Sequence, residues 1–116
     1  MAESGCLFCR IVAAEVPATI VRESARVLTF RDINPQAPTH VLVIPKEHYA
    51  DIASLAAADE DLLVEVVREA AAVAEDEGLT GRGFRVVTNI GAEAGQTVDH
   101  VHLHVLGGRT MTWPPG

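Results

Sequence analysis

The sequence predicts an α+β fold, with an antiparallel sheet of about five strands, one long helix and a short N-terminal helix. Three observations predict it. Over 59–77 apolar residues recur at three and four in an otherwise acidic stretch, the period of an amphipathic helix. Short runs at 18–23, 26–31, 39–44 and 84–88, and a histidine-bearing run ending at Gly107, are rich in Val, Ile, Leu, Phe or Thr and read as strands. The runs are joined by short turns or a single helical excursion, which suits antiparallel pairing better than a series of parallel crossovers.

In order, residues 7–16 carry apolar side chains at 7, 8, 11 and 12, a helical spacing that Pro17 ends. The runs 18–23 and 26–31, joined through Glu23-Ser24-Ala25, form a hairpin. Asn34-Pro35-Gln36-Ala37-Pro38 is a loop stiffened by two prolines, and Thr39 to Ile44 is a third strand closed by Pro45. The long helix presents Leu62, Leu63, Val66, Val67, Ala70, Val73 and Ala74 on its apolar side. Asp59, Glu60 and Asp61 suit its positive end, and Gly78 suits its exit. After strand four, Phe84 to Thr88, comes a glycine-punctuated loop from Asn89 to Thr97, then the histidine strand, which Gly107-Gly108 ends. The helix covers one sheet face and the histidines occupy the other.

A chain of 116 residues makes one domain, 1–116, that buries roughly two thirds of its unfolded surface. Residues 1–5 are expected to be a flexible N-terminus and 107–116 a C-terminal tail. With 48% hydrophobic but only 4% aromatic residues, the core is aliphatic. A net charge of −7 opposes broad binding to nucleic acid or anionic membrane, yet permits a small anion where donors are concentrated. No basic segment leads an apolar run at the N-terminus and no apolar stretch approaches ~18 residues, so the expected location is cytoplasmic.

His100-Val-His102-Leu-His104 places three imidazoles on one face of a strand, roughly 6.8 Å apart, with Val101, Leu103 and Val105 on the other. A nucleophilic imidazole needs its second nitrogen held by a partner, either a backbone carbonyl or another histidine. His102, flanked by two histidines, is the best-placed nucleophile, and His104 or His40 can donate to developing negative charge. The preceding loop adds Gly91 and Gly95, where backbone amides approach an anion closely, and the side chains of Gln96 and Thr97. The competing chemistry is a hydrolytic zinc held by the same histidines. Cys6-x-x-Cys9, with two histidines from elsewhere, would make a closed structural zinc site; the alternative is two unliganded thiols on a short helix.

His100-Val-His102-Leu-His104-Val-Leu resembles the signature of the histidine-triad (HIT) nucleotide hydrolases and transferases. Phe30-Arg-Asp32-Ile33-Asn-Pro-Gln-Ala-Pro-Thr-His40, Val-Ile-Pro45-Lys46, Gly95-Gln96-Thr97 and Gly107-Gly-Arg109 through Trp113-Pro-Pro-Gly116 resemble its Hint branch, over residue 7 to the C-terminus. The resemblance implies a HIT fold whose sheet continues across a symmetric homodimer. It also implies cleavage of the P–N bond of purine nucleoside 5′-phosphoramidates, with purine nucleoside monophosphate as ligand. His102 would then be the nucleophile, His104 and the His102 amide would hold phosphate oxygens, and His40 would support them. Thr97, where relatives often have serine, would pass a proton to the amine. Asp32 would bind ribose, Asn89 and Gln96 would sit beside the phosphate and leaving group, and Phe8, Val16, Phe30 and Ile33 would wall the base pocket. Trp113 would lie near the partner subunit's site. By the same resemblance Cys6, Cys9, His48 and His100 would bind a structural Zn²⁺, with no organic cofactor and no catalytic metal. Asp99 departs from the aromatic or other residue common there. Two other functions stay open: a non-catalytic nucleotide-binding scaffold, and dinucleotide polyphosphate hydrolysis, which the short length and the Trp113-Pro-Pro-Gly116 ending disfavour.

Overall fold

The computed structural model describes residues 3–116, and the first two residues of the expected flexible N-terminus lie outside the described residues. Helices α1 (Leu7–Val12), α2 (Ile52–Ala58) and α3 (Glu60–Asp76) accompany strands β1 (Ile20–Glu23), β2 (Val27–Arg31), β3 (Thr39–Pro45), β4 (Arg85–Val87) and β5 (Leu103–Gly107). The strands form one sheet in the order β1-β2-β3-β5-β4, every neighbouring pair antiparallel. This is the predicted α+β class, with a five-stranded sheet.

The sheet's period-two pattern sorts its residues onto two faces. Val27, Val41, Val43, Val101, Leu103 and Val105 pack on one face against Leu62, Val66, Ala70 and Val73 of α3, all buried. The opposite face places Leu28, Phe30, Leu42 and Ile44 against Phe8 and Ile11 of α1. Burying each such large side chain contributes about 1.5–3 kcal/mol, so both helices are held chiefly by their apolar stripes. Asp59 caps α3 by accepting the Leu62 N–H, and Gly78 follows the helix at φ 75°, the left-handed conformation that glycine adopts without a Cβ penalty.

Three expectations are corrected. The N-terminal helix ends at Val12 rather than Val16, because Ala14 turns left-handed (φ 60°) and the Glu15 and Val16 N–H groups both return to the Arg10 carbonyl. An additional helix, α2, precedes the long one, capped by the Asp51 carboxylate accepting from the Ser54 N–H. The histidine strand carries only one of its three histidines in the ladder. Its last pair with β3 is Val43↔Leu103, and β4 ends at Val87 opposite His104. His100 and His102 lie in the segment leading in, tied by the Val101 N–H to the Tyr49 carbonyl (2.7 Å) and by the Thr88 hydroxyl to the His102 carbonyl (2.9 Å).

Gly108, at φ 92°, lets the tail turn over the 34–38 loop; a Cβ there would stand 2.9 Å from Pro38 Cβ. Gly108→Ala is expected to cost about 1–3 kcal/mol, from the left-handed backbone together with this clash. A denaturant midpoint equal to the parent's would contradict that.

Candidate active site

The site grows from the segment entering β5 and from the two strands on its other side. Val101 is drawn into the α3 side of the sheet, so His100 and His102 turn toward α1, where Phe8 packs edge-on against both rings at centroid distances of 5.9 and 5.0 Å. His102 Nδ1 lies 2.7 Å from the His100 carbonyl. That carbonyl can only accept, so Nδ1 carries the proton and Nε2 keeps its lone pair.

The tautomers of the other histidines follow the same way. The Gln36 N–H donates to His40 Nδ1 (3.0 Å), so the His40 proton is on Nε2, which donates to His104 Nδ1 (2.9 Å) and stands 3.4 Å from an Asp32 carboxylate oxygen. His104 Nδ1 is thereby an acceptor, and its Nε2–H becomes a donor available to a ligand. Arg109 Nε donates to the Gln36 carbonyl, tying the C-terminal tail to the loop that sets this relay. Burial pushes the His102 and His40 imidazoles below the ordinary histidine range. His104 is held down to about 4, first by burial and then by the neighbouring His102 and His40. These imidazoles stand neutral at neutral pH, as a nucleophile requires.

His102 and His104 border a cavity of about 260 Å³ whose walls include Phe8, Val16, Phe30, Ile33, Leu42 and Val98, with Asp32 and Thr97 also on its lining. The volume is near the lower end of small-ligand pockets, and a mostly apolar wall with a few polar groups is their usual makeup. Of the candidate ligand residues, Asn89, Gln96 and Trp113 do not line it. The Gln96 side chain closes its own loop, accepting from the Gly91 N–H and donating to the Ala50 and Val98 carbonyls. Trp113 is 81% exposed. Leu7, Ile11, Pro17, Ala18, Arg31, Leu42 and Val98, none of them expected at the site, also border the cavity. Leu42 had a signal: it stands on the strand after His40, two positions along, and pairs with His104.

A second cluster lies behind the first. Cys6 Sγ is 3.4 Å and Cys9 Sγ 3.5 Å from His100 Nδ1, Cys9 Sγ is 3.4 Å from His48 Nδ1, and the four ligand atoms lie within 4.8 Å of one another. Tetrahedral zinc at about 2.3 Å from sulfur and 2.0–2.1 Å from nitrogen puts neighbouring ligand atoms about 3.3–3.8 Å apart. These donors fit. His100 Nε2 donates to the Pro45 carbonyl (2.8 Å) and His48 Nε2 stands 3.2 Å from the Glu3 carboxylate, so each ring turns Nδ1 inward. Burial pushes the Cys9 thiol up, so a thiolate there needs a cation.

A model of the HIT domain matches residues 13–111. The chain belongs to the HIT family. A HIT family hydrolase from Legionella pneumophila is 52% identical, with a TM-score of 0.93 over 97% of this chain and all of that one. A 14 kDa zinc-binding protein of Zea mays is 48% identical over 98% of this chain and 90% of its own length. Adenylylsulfatase HINT1 of Arabidopsis thaliana is 44% identical over 98% of this chain and 78% of its own. These relatives place the HIT domain in the Hint branch, and the α+β architecture is that of HIT-fold structures. Among the described residues no helix is long and apolar enough to cross a membrane.

Proposed function

We propose that the protein is a nucleotide hydrolase that cleaves the P–N bond of purine nucleoside 5′-phosphoramidates through a nucleotide covalently held on His102. The observation that carries this reading is His102 itself: its Nδ1–H is pinned to the His100 carbonyl, and the ring borders the apolar cavity beside Asp32 and His104.

The base would enter between Phe8, Val16, Phe30 and Ile33, with Asp32 accepting from ribose hydroxyls. His102 Nε2 would attack phosphorus, forming a P–N bond to the ring as the P–N bond to the amine breaks. The amine leaves as a neutral molecule once it takes a proton, which Thr97, a residue of the cavity lining, would relay from solvent. The modified imidazole becomes cationic while Nδ1–H stays on the His100 carbonyl, which opposes that charge. His104 Nε2–H would hold a non-bridging oxygen as negative charge builds, with the His102 amide as the second donor. Water then attacks phosphorus in the opposite sense, its oxygen joining the nucleotide and its proton lost, and neutral His102 is restored. Dividing one displacement into two is the advantage of covalent catalysis. Asn89 would act from the neighbouring loop on the phosphate, and Gln96, its amide engaged with Gly91, Ala50 and Val98, would hold that loop in place beside the leaving group.

Cys6, Cys9, His48 and His100 would hold a structural Zn²⁺, which supplies a fixed cation that neutralises the thiolates and braces the His100 backbone; no reaction step needs it. The protein would act as a homodimer in which a second copy extends the sheet through β4, a strand with one edge unpaired, covering the exposed Phe84, Val86 and Val67. Trp113 would then lie near the partner's site, and sedimentation equilibrium reads the assembly directly. The cytoplasm is the proposed location. The Arabidopsis relative's name points to a second substrate, adenylyl sulfate, from which sulfate would leave as the same phosphorus is attacked.

Amine release from adenosine 5′-phosphoramidate, by wild type and His102→Ala with and without chelator, tests the reading. Turnover lost only in the variant supports it; loss on chelation of a folded protein favours a catalytic metal, and no turnover in any sample favours a binding protein. The pH profile is a further check. Protonating His102 switches the nucleophile off, and burial lowers its pKa below 6.5, so the acid limb of the activity profile is expected to have its midpoint below pH 6.5. An acid limb with its midpoint at or above 6.5 would contradict this.

A further inference from the structure

His100, Val101 and His102 lie outside the β3–β5 ladder, whose last pair is Val43↔Leu103, so strand pairing does not fix the residue that carries the nucleophile. The segment 45–50, which leaves β3 and leads to α2, takes over that task. Its carbonyls face the incoming chain. Pro45 accepts from the His100 Nε2–H (2.8 Å), Tyr49 from the Val101 N–H (2.7 Å) and Ala50 from the Gln96 side-chain amide (2.7 Å).

The Val101 N–H and the His100 carbonyl are opposite ends of one planar peptide unit. The first donates to Tyr49, and the second accepts from His102 Nδ1–H at 2.7 Å. A continuous chain of hydrogen bonds therefore runs from the Tyr49 carbonyl through that peptide to the ring of His102. A peptide whose N–H is engaged presents a more negative oxygen, and held at both ends it cannot swing away from the ring. His100, Val101 and His102 are all buried, which keeps water from competing for these bonds. The Tyr49 end is itself braced. Its ring packs against the core facing α3, and its hydroxyl stands 3.4 Å from the Glu47 carboxylate. Arg26 Nε donates to Glu47 (3.1 Å) and Arg26 Nη2 to Asp59 (2.6 Å), the cap of α3, while the Arg26 carbonyl accepts the Lys46 N–H (2.8 Å).

We propose that Tyr49, through its main-chain carbonyl, is a positioning residue for the reaction: acting across the His100–Val101 peptide, it aligns and strengthens the bond that holds His102 Nδ1–H. The proposal rests on the reading of His102 as nucleophile. As Nε2 bonds to phosphorus and the bond to the amine breaks, the ring becomes cationic, and a charged donor gains more from a polarised acceptor than a neutral one does. The benefit is therefore larger in the transition state than in the bound substrate, and it belongs to kcat rather than KM.

Backbone esters test this with every side chain kept. The α-hydroxy acid of valine at position 101 deletes the donor to Tyr49 and makes the His100 carbonyl a weaker acceptor. Lactic acid at position 50 weakens only the Tyr49 carbonyl, since the Ala50 N–H has no acceptor among the described residues. Single-turnover transfer of the nucleotide from adenosine 5′-phosphoramidate to His102 is expected to slow about tenfold in the first and about threefold in the second. KM should stay within twofold in both, and the His102 Nδ1–H proton resonance should move upfield. An ester at Val64, exposed in the middle of α3, is expected to change neither rate nor resonance. An unchanged rate and resonance in the position-50 ester would overturn the proposal, as would an equal loss of rate at Val64, which would make the effect one of stability. Wild-type protein supplies a check that depends on no variant folding: scalar coupling across the hydrogen bonds should link Val101 N to the Tyr49 carbonyl carbon and His102 Nδ1 to that of His100. Absence of the first coupling would break the chain and the proposal with it. No turnover in wild type would sink the catalytic reading, and the couplings would still report whether Tyr49 holds His102.

Discussion

Replacing His102 with alanine is expected to lower kcat for adenosine 5′-phosphoramidate at least about 10⁴-fold, the scale of loss when a covalent nucleophile is removed. Nucleotide affinity should change only a few-fold, because the base walls and Asp32 stand apart from the attacking nitrogen. His102 is buried, so the alanine variant also leaves a cavity against Phe8 and loses the bond to the His100 carbonyl. His102→Asn keeps a side-chain amide near that carbonyl and guards against reading a folding defect as a chemical one. Both variants should be equally inactive while matching wild type in AMP binding by calorimetry. Activity within tenfold of wild type in either would remove His102 from the nucleophile's role.

Removing the proposed Zn²⁺ is expected to produce the largest change in stability. Two thiolates gathered with two imidazoles within 4.8 Å lack a countercharge unless a cation joins them, and Cys9 and His100 are buried. Cys9→Ser, or a strong chelator, should lower stability by about 3 kcal/mol or more, roughly 10 °C in Tm for a chain of this size. At temperatures where the chelated protein remains folded, turnover should persist, because His100 reaches the reactive site only through the backbone carbonyl that holds His102. Differential scanning calorimetry on zinc-loaded and chelated samples, with activity assayed alongside, reads both quantities. An unchanged Tm would mean that the cluster holds no metal.

Much of this was legible in the residues because it depends on local periodicity. The 3.6-residue pattern of α3 and the caps at Asp59 and Gly78 are sequence-local signals, and Glu60–Asp76 lies within one residue of the span they imply. The alternation about His102 foretold which side chains meet α3. It did not foretell where the ladder stops, since β5 is limited by the reach of β3 and by the three residues of β4, neither encoded in the histidine run. Helix α2 was missed because Ile52–Ala58 is mostly alanine with one buried side chain, Leu55, and so has no amphipathic stripe; the Asp51 cap was its only local sign. The histidine tautomers were invisible for a different reason. They are set by the Gln36 amide and the His100 and Pro45 carbonyls, backbone groups whose positions exist only once the loops are folded. Alone, the residues left Cys6 and Cys9 undecided between a metal site and free thiols. Their approach to His48 and His100 spans 39 to 94 residues of chain, beyond any local pattern.

The covalent nucleotide on His102 is the central claim, and the stereochemical course at phosphorus tests it most directly. An adenosine 5′-phosphoramidate analogue made chiral at phosphorus, hydrolysed in heavy-oxygen water and read by phosphorus NMR, reports how many displacements have occurred. Two successive in-line attacks, by His102 and then by water, predict net retention of configuration. Net inversion would mean that water attacks phosphorus directly, and His102 could not then be the nucleophile.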